Sequence, residues 1–267
     1  RQRQMCIRDS AKQVPVITIA RLLGIPEEMS DQLLKWSNTM VAVYQADISE
    51  HTKNLANQSS REFYEYIEKY VNERRSKPAD DLITHLINAE EDNEKLSFDE
   101  LISTCILLLN AGHEATVHTI GNGIKALLTN KVECRFLKEK DWQNIVEEVL
   151  RYDPPLHIFT RFAYENLIID NIEISHGEKI RLVIGASGQD EWRWDRPSEF
   201  LSNRTPIMHN SFGAGSHFCL GAPLARLEIK LALKNLFENK SHIKILQKPE
   251  YADIYHFHCL LYTSPSP

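Results

Sequence analysis

The residues best equipped for chemistry stand together in Phe212-Gly213-Ala214-Gly215-Ser216-His217-Phe218-Cys219-Leu220-Gly221, directly before a predicted helix. Glycines at 213, 215 and 221 let the backbone turn tightly and bring amide N–H groups close to one atom without Cβ obstruction. That atom is the Cys219 sulfur. Just ahead of a helix N-terminus, the helix dipole and the unpaired N–H groups favour a thiolate over a thiol. A thiolate is a nucleophile or a soft ligand for iron. Nucleophilic hydrolysis needs a His/Asp partner set that the sequence does not place beside it. A lone Cys-Gly pair reads as a buried structural cysteine at a turn, so the surrounding pattern has to decide.

That pattern, Phe-Gly-x-Gly-x-His-x-Cys-x-Gly, resembles the haem-binding signature of the cytochrome P450 superfamily at every defined position. The following Ala222-Pro223-Leu224-Ala225-Arg226-Leu227-Glu228 is similar to the bacterial members. The resemblance implies that Cys219 is the axial ligand of a haem b iron, pushing electron density towards O–O cleavage. It implies that Phe212 packs against the sulfur and that His217 faces a haem propionate. Arg161, in Thr160-Arg161-Phe162-Ala163, is the implied second propionate partner, because a guanidinium pairs well with a carboxylate. Upstream, Glu148-Val149-Leu150-Arg151 matches the family's Glu-x-x-Arg pair, with Arg204 as third partner. Residues three apart share a helix face and can pair, but surface helices carry such pairs everywhere. Order gives this one its weight: it ends a helix, precedes Pro154-Pro155 and stands upstream of Cys219. Its implied role is structural, holding the haem-binding loop.

A second cluster, Ala111-Gly112-His113-Glu114-Ala115-Thr116, falls midway along a long helical pattern. A glycine inside a helix costs about 1 kcal/mol relative to alanine, and polar groups in an apolar stripe cost more. The resemblance supplies a reason: glycine opens a local distortion where O2 binds, and an acid with a following Thr relays protons to the oxygen. Glu114 matches the acid. The usual Thr is Ala115, with a hydroxyl one place later on Thr116. Consecutive helical residues point about 100° apart, so Thr116 does not inherit the geometry of a hydroxyl at 115. Proton delivery then falls to ordered water or a substrate hydroxyl, with Glu114 as outer relay, and Thr116 either joins it or bonds back to a helix carbonyl. His113 and His118 are five apart, which is not the spacing of a helical metal pair, and read as packing or solvent residues. Cys105 and Cys134 read as small buried hydrophobes, and the Tyr/Trp-rich stretches 63–70 and 192–194 as core.

The elements that must position these groups are mainly α with a minor β portion. Helical spacing predicts helices over residues 26–45 and 59–76, the latter stopped by Pro78, and Asp80 or Asp81 caps a short helix through Ala89. Ser97 with Glu100 forms a capping-box pattern opening a helix to about Asn130. Residues 140–152 form another helix, residues 156–184 read as short strands around Asp170-Asn171 and His176-Gly177, and 222–239 is the last helix, with Pro223 in its first turn. One domain is expected over 11–258. In the terms of the resemblance this is a partial cytochrome P450 fold lacking the N-terminal third and the last strand. Segments 1–10 and 259–267 resemble translated adapter sequence and are expected to be non-native. With part of the core's cover missing, the chain as it stands is expected to hold haem poorly or to aggregate.

Composition excludes other classes. The chain has 267 residues, 42% hydrophobic and 25% charged, with net charge −6, which describes a globular protein without a dense basic patch for nucleic acid. No apolar run approaches the roughly 20 residues a membrane span needs. Five cysteines, at 6, 105, 134, 219 and 259, are too scattered for a disulfide framework, which suits the cytoplasm. No flavin or nicotinamide fingerprint is visible, so electrons come from a partner, implied to be a ferredoxin or flavodoxin with its reductase. Arg204, Arg226, Lys230 and Lys234 surround the loop in sequence and are expected to form its docking face. The implied activity is a haem-thiolate monooxygenase, monomeric, that inserts one atom of O2 into a small apolar organic substrate. Its substrate pocket is expected from Leu108, Asn110 and Ala111 and from Leu156, His157, Ile158 and Phe159. The alternative is a non-catalytic or vestigial haem-binding protein of the same fold, a reading fed by Ala115.

Overall fold

A computed structural model describes residues 7–44, 48–91, 96–205, 207–240, 243–245, 250–251 and 260–261. By proximity the chain parts into two compact units, 1–117 and 118–267. The first is helical. Helix α1 (Ile7–Leu23) runs through Pro15 and was not expected from the sequence. An interior proline normally breaks a helix, but Val16, Ile19, Ala20 and Leu23 bury one face completely enough to offset it. Gly24, at φ 76°, ends it: Ile25 N–H reaches back to the Ala20 carbonyl at 2.8 Å, a Schellman closure that needs the left-handed residue.

Helix α2 (Ser30–Val41) follows a 3-10 turn at Glu27–Met29, within the expected 26–45. Helix α3 (Glu50–Ser76) begins nine residues before the expected 59, capped by Ser49, whose hydroxyl accepts from Thr52 N–H at 3.1 Å. Its buried stripe is Ala56, Ser59, Phe63, Ile67 and Val71, and the two small members disguise the periodicity at its start. Asp81 is the cap of α4 (Leu82–Glu91), accepting from Thr84 N–H at 2.8 Å. The expected capping box opens α5 (Phe98–Thr129): Ser97 N–H donates to Glu100 at 2.7 Å and Glu100 N–H to Ser97 Oγ at 3.3 Å. Phe63, Ile67, Leu101, Cys105 and Leu109 meet in the core of this unit.

The second unit takes the C-terminal part of α5 and then α6 (Glu139–Tyr152). Strands β1 (Ile158–Phe162), β2 (Leu167–Ile169), β3 (Ile172–Ile174) and β4 (Lys179–Val183) occupy the expected region. β1 and β4 are antiparallel, with Thr160 opposite Arg181, and β2 and β3 form a hairpin. Asp170 and Asn171 turn it with φ of 48° and 63°, the left-handed pair that a two-residue hairpin requires. A single turn, α7 (Ile184–Ser187), leads into irregular chain up to α8 (Ala222–Asn239), whose bounds match expectation. β5 (Glu250–Tyr251) pairs with β6 (Leu260–Leu261). Buried Trp142, Ile145 and Val149 of α6 and Ile229 and Leu233 of α8 form the core around which the site is built.

Trp194 is buried and donates from Nε1 to the Ser187 carbonyl at 2.9 Å, but Trp192 is fully exposed, which corrects its reading as core. Cys105 and Cys134 are buried as expected, and desolvation pushes their thiols up to about 12 and about 11. Of the ends expected to be non-native, residues 1–6, 259 and 262–267 lie outside the described residues. Residues 7–10 begin α1, and 260–261 form β6. Among the described residues no helix is long and apolar enough to cross a membrane.

Candidate functional site

Glu148 and Arg151 sit on one face of α6, both fully buried. Arg151 grips the Glu148 carboxylate with two parallel bonds, Nε at 2.7 Å and Nη2 at 2.8 Å, and Arg204 adds Nε at 3.0 and 3.2 Å. The Leu201 amide makes a further bond to the same carboxylate at 2.8 Å. The remaining guanidinium N–H groups reach backbone carbonyls: Arg151 those of Gly188, Pro197 and Glu199, Arg204 those of Asp195, Arg196 and Glu199. Two cations on one buried anion are tolerable because every nitrogen of both guanidinium groups has an acceptor. The carbonyls all belong to an irregular stretch without its own backbone ladder, and this knot ties 188–204 to α6. Gly188 is required there, since a Cβ would lie 2.1 Å from the Arg151 carbonyl oxygen. Arg204 pairs with Glu148 as the third member of the group, and the carbonyls that the two guanidinium groups hold belong to residues 188–199 rather than to the 212–221 loop.

Glu147, the next residue along α6, serves another segment. It accepts from Arg226 Nε at 2.6 Å and Nη2 at 3.0 Å, and pairs with His209 Nε2 at 3.0 Å. Burial pushes its carboxyl up, but the bonds from His209 and Arg226 overcome that and hold it down at about 2. Its folded value therefore lies below the ordinary 4.5, so its contribution to stability is complete above about pH 4.5 and is lost as pH falls towards 2. Denaturant unfolding should show the parent chain losing more stability between pH 4.5 and 2 than Glu147→Gln, the two curves converging at the acid end. Neither Glu147 nor His209 was singled out from the sequence. Their partners are 62 and 79 residues away along the chain, beyond any local spacing signal.

The cysteine loop lies between these contacts and α8. Gly213 and Gly215 have φ of 73° and 70°, which explains both glycines. Gly213 N–H closes a turn on the Asn210 carbonyl at 2.8 Å, and Cys219 N–H donates to the Phe212 carbonyl at 3.0 Å, folding the loop back on itself. The Cys219 carbonyl in turn accepts from Ala222 N–H at 3.2 Å as α8 begins. The sulfur is exposed, with the half-exposed Phe218 and the exposed Leu220 beside it in the chain. The Phe212 ring lies 4.5 Å from the Arg226 guanidinium carbon and 6.3 Å from the Phe218 ring. His217 is exposed in a 3-10 turn, Gly215–His217. A Cβ at Gly221 would meet Cys219 Sγ at an ordinary 4.0 Å, so contact with the sulfur does not demand that glycine.

Arg161, on β1, is exposed, its guanidinium 5.8 Å from the Phe159 ring. His157 and Ile158 line a cavity of about 390 Å³ with Tyr152, Asp153, Val183 and Gln189. Phe159 does not line it, because successive strand residues face opposite sides. In the first unit, Leu108 and Asn110 are half-buried and Ala111 is exposed. Glu114 Oε2 lies 3.3 Å from His113 Nε2, and Thr116 is buried. His113 is a packing residue as expected, its Nδ1 bonded to the Leu109 carbonyl at 2.9 Å.

Two expectations need correction. Helix α5 is unbroken at Gly112, where a distortion was expected. A Cβ there would lie 2.5 Å from the end of the Ile19 side chain, so α1 packs closely at this glycine. The four basic residues expected to form a docking face are already matched by glutamates of α6. Arg204 pairs with Glu148, Arg226 with Glu147, and Lys230 and Lys234 with Glu139 at 2.6 and 2.8 Å. Glu139 faces two lysines and Glu148 two arginines, so the pairing offsets part of their charge within the molecule.

Comparison with known proteins places these features in context. The family model for cytochrome P450 matches residues 18–139 and 142–263. The polyketide biosynthesis cytochrome P450 PksS of Bacillus subtilis is 42% identical over 247 residues, covering 91% of this chain and 60% of PksS. A steroid C26-monooxygenase of Mycobacterium tuberculosis is 30% identical over 242 residues, 90% of this chain and 65% of that protein. Among solved structures, P450BioI in complex with an acyl carrier protein ligated to hexadec-9Z-enoic acid superposes with a TM-score of 0.90 at 32% identity, covering 95% of this chain and 66% of that one. The chain thus spans about 60% of the length of PksS.

Proposed function

The chain belongs to the cytochrome P450 family, and from that membership we propose that it carries the haem-ligating part of a haem-thiolate monooxygenase acting on a small apolar organic substrate. The observation that carries the reading is Cys219 itself, an exposed sulfur on a loop turned by two left-handed glycines and tied by its own amide. The residues fit a haem: a soft donor suits iron, and the exposed apolar neighbours Phe218 and Leu220 suit a flat apolar macrocycle. When bound, haem b would supply the reduction of O2 and the transfer of one oxygen atom to the substrate.

The protein's own groups do the rest. Cys219 donates its sulfur, while Phe212, Gly213, Gly215 and Gly221 shape the loop. Arg161 and His217, both exposed, are cationic or hydrogen-bonding partners for propionates. Glu114 would be the outer proton relay; its Oε2 lies 3.3 Å from His113 Nε2. Ala115 offers no hydroxyl beside it, so onward delivery uses Thr116, water or a substrate hydroxyl. Leu108, Asn110, Ala111, His157, Ile158 and Phe159 would contact the substrate. An apolar acyl chain of the kind carried in the P450BioI complex belongs to the proposed substrate class. Electrons would come from a ferredoxin or flavodoxin with its reductase, in the cytoplasm, to a monomer.

The test is the absorption spectrum of the reduced, CO-bound protein, with haem supplied to this chain fused to the part of PksS that it does not span. A strongly red-shifted thiolate band is expected, and a haem complex without it would overturn the reading. The band without oxidation of any apolar substrate would favour the non-catalytic alternative, to which Ala115 points.

A further inference from the structure

We propose that Glu147, His209 and Arg226 are positioning residues: together they clamp the ring of Phe212 and thereby set the orientation of the Cys219 sulfur. For its consequence at the metal this rests on the haem-thiolate reading, but the clamp itself is a property of the chain. The Arg226 guanidinium is held edge-on by the Glu147 carboxylate, through Nε at 2.6 Å and Nη2 at 3.0 Å, and its central carbon lies over the Phe212 ring, 4.5 Å from the centroid. A planar group bonded twice along one edge, with a ring over its centre, is restricted in rotation. The His209 ring touches Phe212 at 5.9 Å and is fixed at both nitrogens. Nδ1 accepts from Ser211 N–H at 3.2 Å, so Nε2 carries the proton donated to Glu147 at 3.0 Å. Ser211 Oγ then donates to the Leu150 carbonyl of α6 at 2.6 Å, fastening the loop on the near side of Phe212.

The line from clamp to sulfur is short. Cys219 N–H is bonded to the Phe212 carbonyl at 3.0 Å, so displacement of Phe212 moves the backbone that carries the thiol. Consecutive residues of α6 point about 100° apart. Glu148 accordingly binds the chain over 188–204 while Glu147 binds 209–226, two neighbouring carboxylates with separate tasks. This division makes the proposal testable, because damage to one need not damage the other.

The experiment measures amide hydrogen exchange residue by residue on the chain without haem, comparing the parent with Glu147→Gln and Arg226→Lys. Exchange at Gly213 and Cys219 is expected to accelerate roughly tenfold in both variants, while Leu201, held by Glu148, keeps its protection. Arg226→Lys keeps the charge and loses only the flat two-pronged face, and it carries the test if Glu147→Gln fails to fold. Unchanged exchange at Gly213 and Cys219 overturns the clamp. So does loss of protection at Leu201 to the same degree, which marks a merely structural role. In the haem-loaded PksS fusion, both variants should shift part of the CO-bound population from the thiolate band to the unshifted form. If the parent fusion itself lacks the thiolate band, the haem reading fails, and the exchange data still decide the clamp.

Discussion

Cys219→Ser is expected to remove the thiolate band of the reduced, CO-bound protein completely while leaving the unfolding free energy within about 0.5 kcal/mol of the parent. The two halves of that result have separate causes. A serine hydroxyl stays protonated near neutral pH and is a hard donor, so it cannot replace a thiolate on iron. The loop's own geometry uses the backbone of residue 219, whose N–H bonds to the Phe212 carbonyl and whose carbonyl accepts from Ala222, and neither bond involves the sulfur. Cys105→Ser and Cys134→Ser are the controls. Their thiols are buried and pushed far up by desolvation, so serine there should cost stability and leave the spectrum alone. Survival of the band in Cys219→Ser, or its loss in either control, would contradict the assignment.

Arg151→Ala is expected to be the most destabilising single change in the chain, by about 3–5 kcal/mol in denaturant unfolding. Removal of this guanidinium leaves the fully buried Glu148 carboxylate with Arg204 and the Leu201 amide alone. It also strips the carbonyls of Gly188 and Pro197 of the donor that holds them. Arg151→Lys should recover little, because one ammonium cannot grip both carboxylate oxygens and the three carbonyls together. The comparison is Arg21, whose pair with Glu27 is open to solvent and whose removal should shift the midpoint far less. A cost below about 1 kcal/mol for Arg151→Ala would mean that 188–204 is held by something other than this knot.

How much of this was legible beforehand depended on the range of the physics involved. The capping box at Ser97 and Glu100, the Asp170-Asn171 hairpin and the bounds of the last helix all follow from interactions spanning a few residues. Each was read correctly. Helix α1 carried no expectation from the sequence, and its Pro15 argues locally against a helix that buried packing sustains. The start of α3 was missed because Ala56 and Ser59 continue its buried stripe with small side chains. Gly112 was marked as needing a reason, and a packing reason that the sequence could not supply is Ile19, close in space and distant along the chain.

The sequence by itself carried the proposed chemistry of the site: the glycine spacing around Cys219, the Glu148–Arg151 pair and, Ala115 apart, the Glu114 cluster match a family pattern position by position, and that match is made before anything folds. Only the tertiary structure decided which charges are free. Arg226, Lys230 and Lys234 read as an open basic face until Glu147 and Glu139 were found opposite them. Glu147 itself looked like an ordinary helix residue until Arg226 and His209 closed on it. The net effect of a charge is set by the partner that desolvates and pairs with it. Such partners, on separate elements, are brought together only by folding.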